Sequence, residues 1–470
     1  MADVLLILPH LPQRMGAPYL GQQYVAASLL AAGHRVKCLD LAAILWRGSD
    51  EDALAEAARF GPDIVGMTLF TSNARRGYLL AEGLRARGIG RLLVAGGPHA
   101  TVLPDEPIAH GFDVSVVGEG ENVLRKIADL FDRPRDLLGS VMERVRALPW
   151  VHTREGNGPP GTFIDDLDAL PFPHRSYPSF DAAQYSPLGV IGAGGMMTSR
   201  GCPARCTFCA NYVTGRNYRW RSTESVIAEM VALSDMTQIR NFPFWDDAFT
   251  ARRPRLEALC KGILATPELE GVTWTCITPG NMVKPFDLDN MRAAGCVAVN
   301  FGIESGDYNI LQQIQKGTRP EQVRMAVKAA KEAGMLTVVN FMFGFPGEGV
   351  EELQRTLALM VELSPWTDFF NNRGVLLPFP GTPIFDEHAA TYGFDGWWLD
   401  AARVPDEPDL FGMDAAGAQT ALEEDPTLAL DFFRYSEPVR AMIAECVRFK
   451  ARHNQATIAK MTRGHVPEAA

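Results

Sequence analysis

The sequence predicts an α/β protein in three parts: a doubly wound parallel sheet, an open six-stranded parallel barrel, and a mostly helical end. Five short β-rich runs alternate with helix-period segments before residue 130. Six more strand-length runs, again spaced by helical segments, fall between residues 196 and 377. Helical patterning returns at about 427–433 and 437–458. Strands that alternate with helices pair in parallel, because each crossover helix returns the chain to the same end of the sheet. The boundaries drawn from these shifts are 1–140 for the sheet domain, 141–195 for a connector, 196–385 for the barrel and 386–470 for a helical cap.

Composition sets the outer limits. At 470 residues the chain can bury two or three cores. Apolar and charged fractions of 47% and 21% are those of a globular protein in water. A net charge of −11 with no long run of either sign argues against nucleic acid or an anionic membrane as partner. The basic stretch Arg216–Arg221 reads as a solvated face. The first apolar run, Val4–Leu8, is too short to span or to direct export, which predicts a cytoplasmic protein. Cys38, Cys260, Cys276, Cys296 and Cys446 are scattered and read as reduced, buried thiols.

In the first domain the expected strands are Val4–Leu8, Arg35–Leu41, Ile64–Phe70, Arg91–Gly97 and Val114–Gly118. Helical stretches fall between them at about Gln22–Ala32, Glu51–Phe60, Ala74–Arg87 and Pro104–Ala109, with another after Glu119. Doubly wound sheets bind ligands beyond the carboxyl ends of their strands. The candidates there are Thr68 and Thr71 after the third strand, and Gly96, Gly97 and His99 in G-G-P-H-A-T after the fourth. Gly118, Glu119 and Gly120 follow the fifth. Paired glycines let backbone approach a flat or bulky ligand with no side chain between.

From Pro149 to Gly195 no periodicity persists, and the segment reads as an ordered connector. The barrel strands follow at Met196–Gly201, Ile239–Trp245, Val272–Ile277, Val297–Ile303, Leu336–Phe345 and Phe370–Leu377. Thr318 and Glu321, with Pro320 in the first turn, form a capping-box pattern. Barrels place their chemistry at strand ends. Asp246 and Asp247 end the second strand, and adjacent side chains there point opposite ways, with Asp246 taken as the inward one. Glu304 ends the fourth, an acid costly to bury unpaired. Gly344 lies in F-G-F-P-G-E after the fifth.

The most specific stretch is T-S-R-G-C-P-A-R-C-T-F-C, which feeds from the first barrel strand and places Cys202, Cys206 and Cys209 at C-x3-C-x2-C spacing. Zinc takes four protein ligands from two separated pairs, and no second pair lies nearby. Iron–sulfur clusters usually take four cysteines, so three on one loop leave an iron open. The spacing, with Phe208 before the last cysteine, resembles the signature of the radical S-adenosylmethionine (SAM) enzymes. The strand-end segments W-D-D, F-G-I-E-S-G, F-G-F-P-G-E and P-F-P-G-T-P follow in the order found in the cobalamin-dependent branch of that family. Residues 1–130, including P-Y-L-G-Q-Q-Y-V-A-A-S-L-L-A-A-G, resemble its cobalamin-binding domain.

The resemblance implies a 4Fe–4S cluster on the three cysteines, whose open iron holds SAM, with Phe208 against the adenine and Asp246 and Glu304 also holding SAM. It implies cobalamin among the threonines and glycines of the first domain. Two features depart from family patterns. D-x-H-x-x-G, with its axial histidine, is absent, and T-P-G-N-M-V, with Asn281, stands where an arginine is often found. His10 reads as a loop residue, and His99 as a contact to cobalamin that does not ligate it. The implied activity is C-methylation of an unactivated carbon of a small molecule, by a 5′-deoxyadenosyl radical and methylcobalamin, with an external reductant of flavodoxin or ferredoxin type. Ring closure, rearrangement or heteroatom exchange without methyl transfer is a second reading, and a sensor without turnover a third. In the C-terminal part Trp397 and Trp398 read as a hydrophobic plug, and the last ten or so residues as a disordered tail.

Overall fold

A computed structural model describes residues 1–463, apart from residues 14, 17, 44–45, 132–137, 178–179, 182–193, 372–373 and 405–412. The tail beyond 463 and part of both the connector and the last barrel strand lie outside the described residues. The chain divides into two compact units. The first holds Met1–Gly201, Ala210–Phe242 and Gly396–Asp406; the second holds Cys202–Cys209, Pro243–Asp395 and Glu407–Ala470.

The first unit is built on β1 (Asp3–Leu8), β2 (Arg35–Asp40), β3 (Ile64–Thr68), β4 (Leu92–Gly96) and β5 (Val114–Val116), in the order 2-1-3-4-5. β1 pairs with β2 and β3, and β4 with β3 and β5, all in parallel. Their residues are apolar in near-continuous runs because both faces are covered; Val4, Leu6, Ile64, Leu92, Val94 and Val114 sit in one buried cluster. β1 lies between β2 and β3, so the winding reverses there, and ligand-binding positions fall at the carboxyl ends. Thr68 and Gly96 are register partners at the ends of β3 and β4.

The connector departs from expectation. It supplies β6 (Val151–Thr153) and β7 (Gly156–Asn157), which extend the sheet antiparallel to β5 and to one another. The local reason is a tight turn: Thr153 Oγ1 donates to the Gly156 carbonyl at 2.7 Å, and Gly156 adopts a positive φ. Further along, β8 (Ser176–Tyr177) and β9 (Phe180–Asp181) form a two-residue hairpin.

In the barrel region, the segment expected as the first strand is not continuous: Met196 makes a single bridge, and the strand that follows lies in a separate two-stranded sheet. There β10 (Ser199–Arg200) pairs antiparallel with β11 (Arg219–Trp220), and the two make the stem of the cysteine loop. The remaining five strands form one sheet in sequential order: β12 (Asn241–Phe244), β13 (Thr273–Pro279), β14 (Cys296–Glu304), β15 (Leu336–Phe341) and β16 (Phe369–Asn371). Sequential order is that of an open α/β barrel, with helices Arg253–Ala265, Pro285–Ala293, Pro320–Glu332 and Val350–Leu363 between strands. The helix at Pro320 is capped one residue later than the Thr318/Glu321 pattern suggested. Its N-cap is Arg319, whose backbone N–H donates to the Gln322 side chain at 2.9 Å, which puts Pro320 at the first helical position.

The C-terminal part holds helices Ala415–Glu423 and Glu437–Arg463, whereas the expected helix at 427–433 is only a short 3-10 turn, Pro426–Ala429. Gly396–Asp406 belongs to the first unit, with Trp397 and Trp398 buried. Among the described residues no helix is long and apolar enough to cross a membrane.

Gly201 joins the stem to the cysteine loop at φ +86°, and a Cβ there would collide with the Asn217 carbonyl. Gly61, at φ +64°, has open space around it. Gly201→Ala is therefore expected to cost about 1–3 kcal/mol, and Gly61→Ala about 1 kcal/mol, in urea unfolding of the protein without cofactors.

Candidate functional site

The cysteine loop is held on both sides of its middle. Thr207 N–H donates to the Ile314 carbonyl at 3.0 Å, and Ile384 N–H donates to the Thr207 carbonyl at 3.2 Å. Phe208 meets Phe345 edge-on, with centroids 5.9 Å apart. All three cysteines are free thiols; Cys206 is buried, Cys202 half-buried and Cys209 exposed. Burial pushes the Cys206 thiol up; Lys316 opposes this, while Glu304 and Cys202 add to it. Cys209 is pushed up to about 12 by the protein packed around its sulfur, then by Cys206, Asp247 and Cys202.

Among the described residues no three His, Cys, Asp or Glu side chains converge closely enough to hold a metal ion. The donor set nonetheless suits a cluster. Three soft thiols lie on one eight-residue loop, outside any disulfide, close enough that Cys202 pushes up the thiols of both Cys206 and Cys209. Binding iron would displace their protons.

Beside the loop, Glu304 ends β14 under strain. It adopts φ +74°, where the pairing of β14 with β15 slips between Gly302 and Glu304. Such a conformation costs on the order of 1–3 kcal/mol in a non-glycine residue. Lys316 Nζ donates to Glu304 Oε1 at 2.7 Å, with both side chains under 10% exposed. Burial alone would lower the lysine pKa, but Glu304 and then Cys206 outweigh it and hold it above the ordinary value. A Cβ at Gly302 would lie 3.0 Å from Glu304 Oε1 and 3.1 Å from Lys316 Nζ, so a side chain there would press on the pair. Lys316 Nζ also stands 5.7 Å from the centre of the Phe208 ring. The other carboxylate oxygen, Glu304 Oε2, is buried without a hydrogen-bond partner. It is an acceptor in want of a donor. Asn281 joins this corner by donating to the Gly317 carbonyl at 2.8 Å.

Asp246 and Asp247 do alternate, one buried and one exposed. Asp246 faces Arg255 Nη2 at 3.5 Å, whereas Asp247 is the carboxylate felt by Cys209. Gly344, at φ +77°, leaves its side-chain space to Tyr435, whose hydroxyl donates to the Gly344 carbonyl at 2.8 Å.

The first-unit candidates separate into two groups. Thr68, Gly96 and Gly120 stand at the carboxyl ends of the strands, and Gly96 has open space where a Cβ would be. Gly97 and Gly118 serve tight backbone: a Cβ on Gly97 would meet the Leu69 carbonyl at 2.9 Å, and one on Gly118 the Trp150 ring at 2.8 Å. His99 is fully buried, with Thr71 at 3.2 Å from Nδ1 and with Tyr78 and Glu106 each at 3.0 Å from Nε2. The Trp398 ring lies edge-on to His99 at 5.5 Å, and its Nε1 donates to Glu106 at 2.8 Å. His99 and Thr71 are thus committed to the protein's own hydrogen bonds.

Glu119 is committed more completely. Its carboxylate takes Arg200 Nη1 at 2.8 Å, Arg219 Nη1 at 2.9 Å and the Ile164 N–H at 2.6 Å. Arg200 Nη2 reaches Glu121 at 2.6 Å. Nearby, Glu229 binds Arg175 at 2.8 Å and also Arg221. Arg219 and Arg221 are both buried, which corrects the expectation of a solvated basic face. Lys316 and Arg200 have no local motif that marks them in the sequence. The signal available was that Glu304, if buried, needs a cation.

Comparison with known proteins places this geometry. The family models "Radical SAM superfamily" and "B12 binding domain" match residues 196–360 and 16–128. The chain is 32% identical over 393 residues, 82% of each protein, to the "Uncharacterized methyltransferase PH0819" of Pyrococcus horikoshii. It is 29% identical to the bacteriochlorophyllide d C-12(1)-methyltransferase of Chlorobaculum tepidum, over 70% of this chain and 66% of that one. It is also 29% identical to the anaerobic magnesium-protoporphyrin IX monomethyl ester cyclase of Cereibacter sphaeroides, over 72% of this chain and 55% of that one. In fold it resembles the radical SAM methyltransferase TsrM of Kitasatospora setae, with TM-score 0.68 at 22% identity over 83% of this chain and 75% of that one. The chain belongs to the cobalamin-dependent radical SAM family, methyltransferase-like branch. It is an enzyme whose cofactors are a 4Fe–4S cluster, SAM and cobalamin.

Removing one partner of a buried ion pair strands the other. Lys316→Met is expected to lower stability by about 3–5 kcal/mol, and Lys316→Met with Glu304→Gln by clearly less. Urea unfolding of the cofactor-free protein checks both.

Proposed function

We propose that this enzyme C-methylates an unactivated carbon of a small-molecule substrate. The observation that carries the reading is the joining, in one chain, of a three-thiol loop beside an orphaned buried carboxylate oxygen to a 2-1-3-4-5 sheet whose fourth strand ends in Gly96 with open space beside it. Similarity to a methyltransferase over 82% of both chains supports it. The bound cofactors supply reductive cleavage of SAM and carriage of a methyl group on cobalt.

In this reading the chain's own residues bind and orient. Cys202, Cys206 and Cys209 hold the cluster. Glu304 Oε2 accepts a hydrogen bond from an amino or hydroxyl group of SAM, while Lys316 satisfies its other oxygen. Phe208 offers a ring face to the adenine. Thr68, Gly96 and Gly120 line the cobalamin. Gly344, Thr71, His99 and Glu119 support these surfaces from behind, and Asp246 does so through Arg255. The enzyme works in the cytoplasm with an external one-electron reductant of flavodoxin or ferredoxin type.

The test needs no substrate. The anaerobically reconstituted protein, given reduced cobalamin and SAM with a labelled methyl group, is expected to form labelled methylcobalamin and S-adenosylhomocysteine in equal amounts. Cobalamin that binds and stays unmethylated, while 5′-deoxyadenosine still forms, would replace methylation by ring closure or rearrangement.

A further inference from the structure

The stem of the cysteine loop carries a feature that cofactor binding does not require. The two residues on either side of the loop's base, Arg200 in β10 and Arg219 in β11, face one another across the hairpin. Both turn inward onto Glu119, and Arg200 also onto Glu121, with all four side chains at most 6% exposed. Glu119 lies between Gly118 and Gly120, in the turn after β5, and Glu121 opens the helix that follows. The contacts continue outward. Arg219 Nη2 donates to the Thr214 carbonyl at 2.9 Å, and the guanidinium groups lie over Phe163 at 5.0 Å and Tyr24 at 5.1 Å. Two positive and two negative charges balance, and the planar arginine forks fix direction as well as distance.

A buried bidentate network of this kind behaves as one unit: displacing the carboxylates displaces the arginines. Arg200 is followed in the chain by Gly201 and Cys202, so any movement of Arg200 passes to the first cysteine through a single residue. We propose that Arg200 and Arg219 are positioning residues that tie the base of the cysteine loop to the Gly118–Gly120 turn, so that cobalamin binding and cluster assembly favour one another. The proposal rests on the reading of that turn as part of the cobalamin site. It reassigns Glu119 from cofactor contact to the clamp between the turn and the loop.

Thermodynamic linkage is the measurement. Hydroxocobalamin is titrated into the full chain with and without the reconstituted cluster, in the absence of SAM. The cluster is expected to tighten binding by about fivefold or more, and hydroxocobalamin to favour cluster retention against a chelator by the same factor. Arg200→Lys, which cannot span two carboxylates, is expected to reduce the linkage to less than about twofold while both cofactors still bind. Glu121→Gln is the milder second variant, with a partial loss. Arg175→Lys, in the separate network around Glu229, is expected to keep the linkage in full.

Equal affinity with and without the cluster in the unaltered protein would overturn the proposal and leave the methyltransferase reading standing. So would linkage that survives in Arg200→Lys, or that disappears equally in Arg175→Lys. Failure of hydroxocobalamin to bind in either state would remove the cobalamin reading itself, and the linkage with it.

Discussion

The four-charge cluster of Arg200, Arg219, Glu119 and Glu121 is the constraint on which the loop geometry depends. Its members come from three places in the chain: the turn after β5, the strand entering the cysteine loop and the strand leaving it. No member could be buried alone, because an unpaired charge in the interior costs several kcal/mol on the order of 3–5 or more. All must therefore arrive together, and their arrival fixes both ends of the segment 201–218 that carries the three cysteines. The same economy recurs at Glu229, where Arg175 and Arg221 share one carboxylate. Buried arginine–carboxylate pairs are weak sources of stability but demanding in geometry. That is what a segment bearing metal ligands needs.

The second unit resolves its own constraint differently. Glu304 is forced into left-handed backbone at a slip in the β14–β15 register, which turns its carboxylate toward Lys316. The pairing satisfies one oxygen and leaves the other buried and unmet. Strain, a pleat irregularity and an orphaned acceptor at one residue mark a place where stability has been yielded to function. The neighbouring contacts concern the same few side chains: Lys316 over Phe208, Phe208 against Phe345, and the Thr207 backbone on Ile314.

Much of this was legible in the sequence where the signal is local. The five parallel strands of the first unit are short runs of Val, Ile and Leu between helix-period segments, and their observed ends lie within two residues of the expected ones. The cysteine triplet is a spacing within eight residues, so no tertiary knowledge was needed to see it. What escaped depended on partners far along the chain. His99 stands out by its position after a strand, whereas the hydrogen-bond network around it, closed by Trp398, 292 residues beyond Glu106, has no local signal. Glu119 stands out in the glycine-rich turn, but its bonds to Arg200 and Arg219, 81 and 100 residues away, have no local signal. Met196–Gly201 has the composition of a barrel strand, and only pairing with Arg219–Trp220 makes it a hairpin stem. The antiparallel strands of the connector are three and two residues long, below the length at which alternation can be read.

The central claim is that the three-thiol loop holds a cluster with one iron open to SAM. Electron paramagnetic resonance of the reduced, cluster-loaded protein, recorded with and without SAM, tests it most directly. The account predicts a 4Fe–4S signal whose g-values shift when SAM is added and return when SAM is removed. A signal that SAM leaves unchanged, or iron that binds equally well after Cys202, Cys206 and Cys209 are all replaced by alanine, would contradict it.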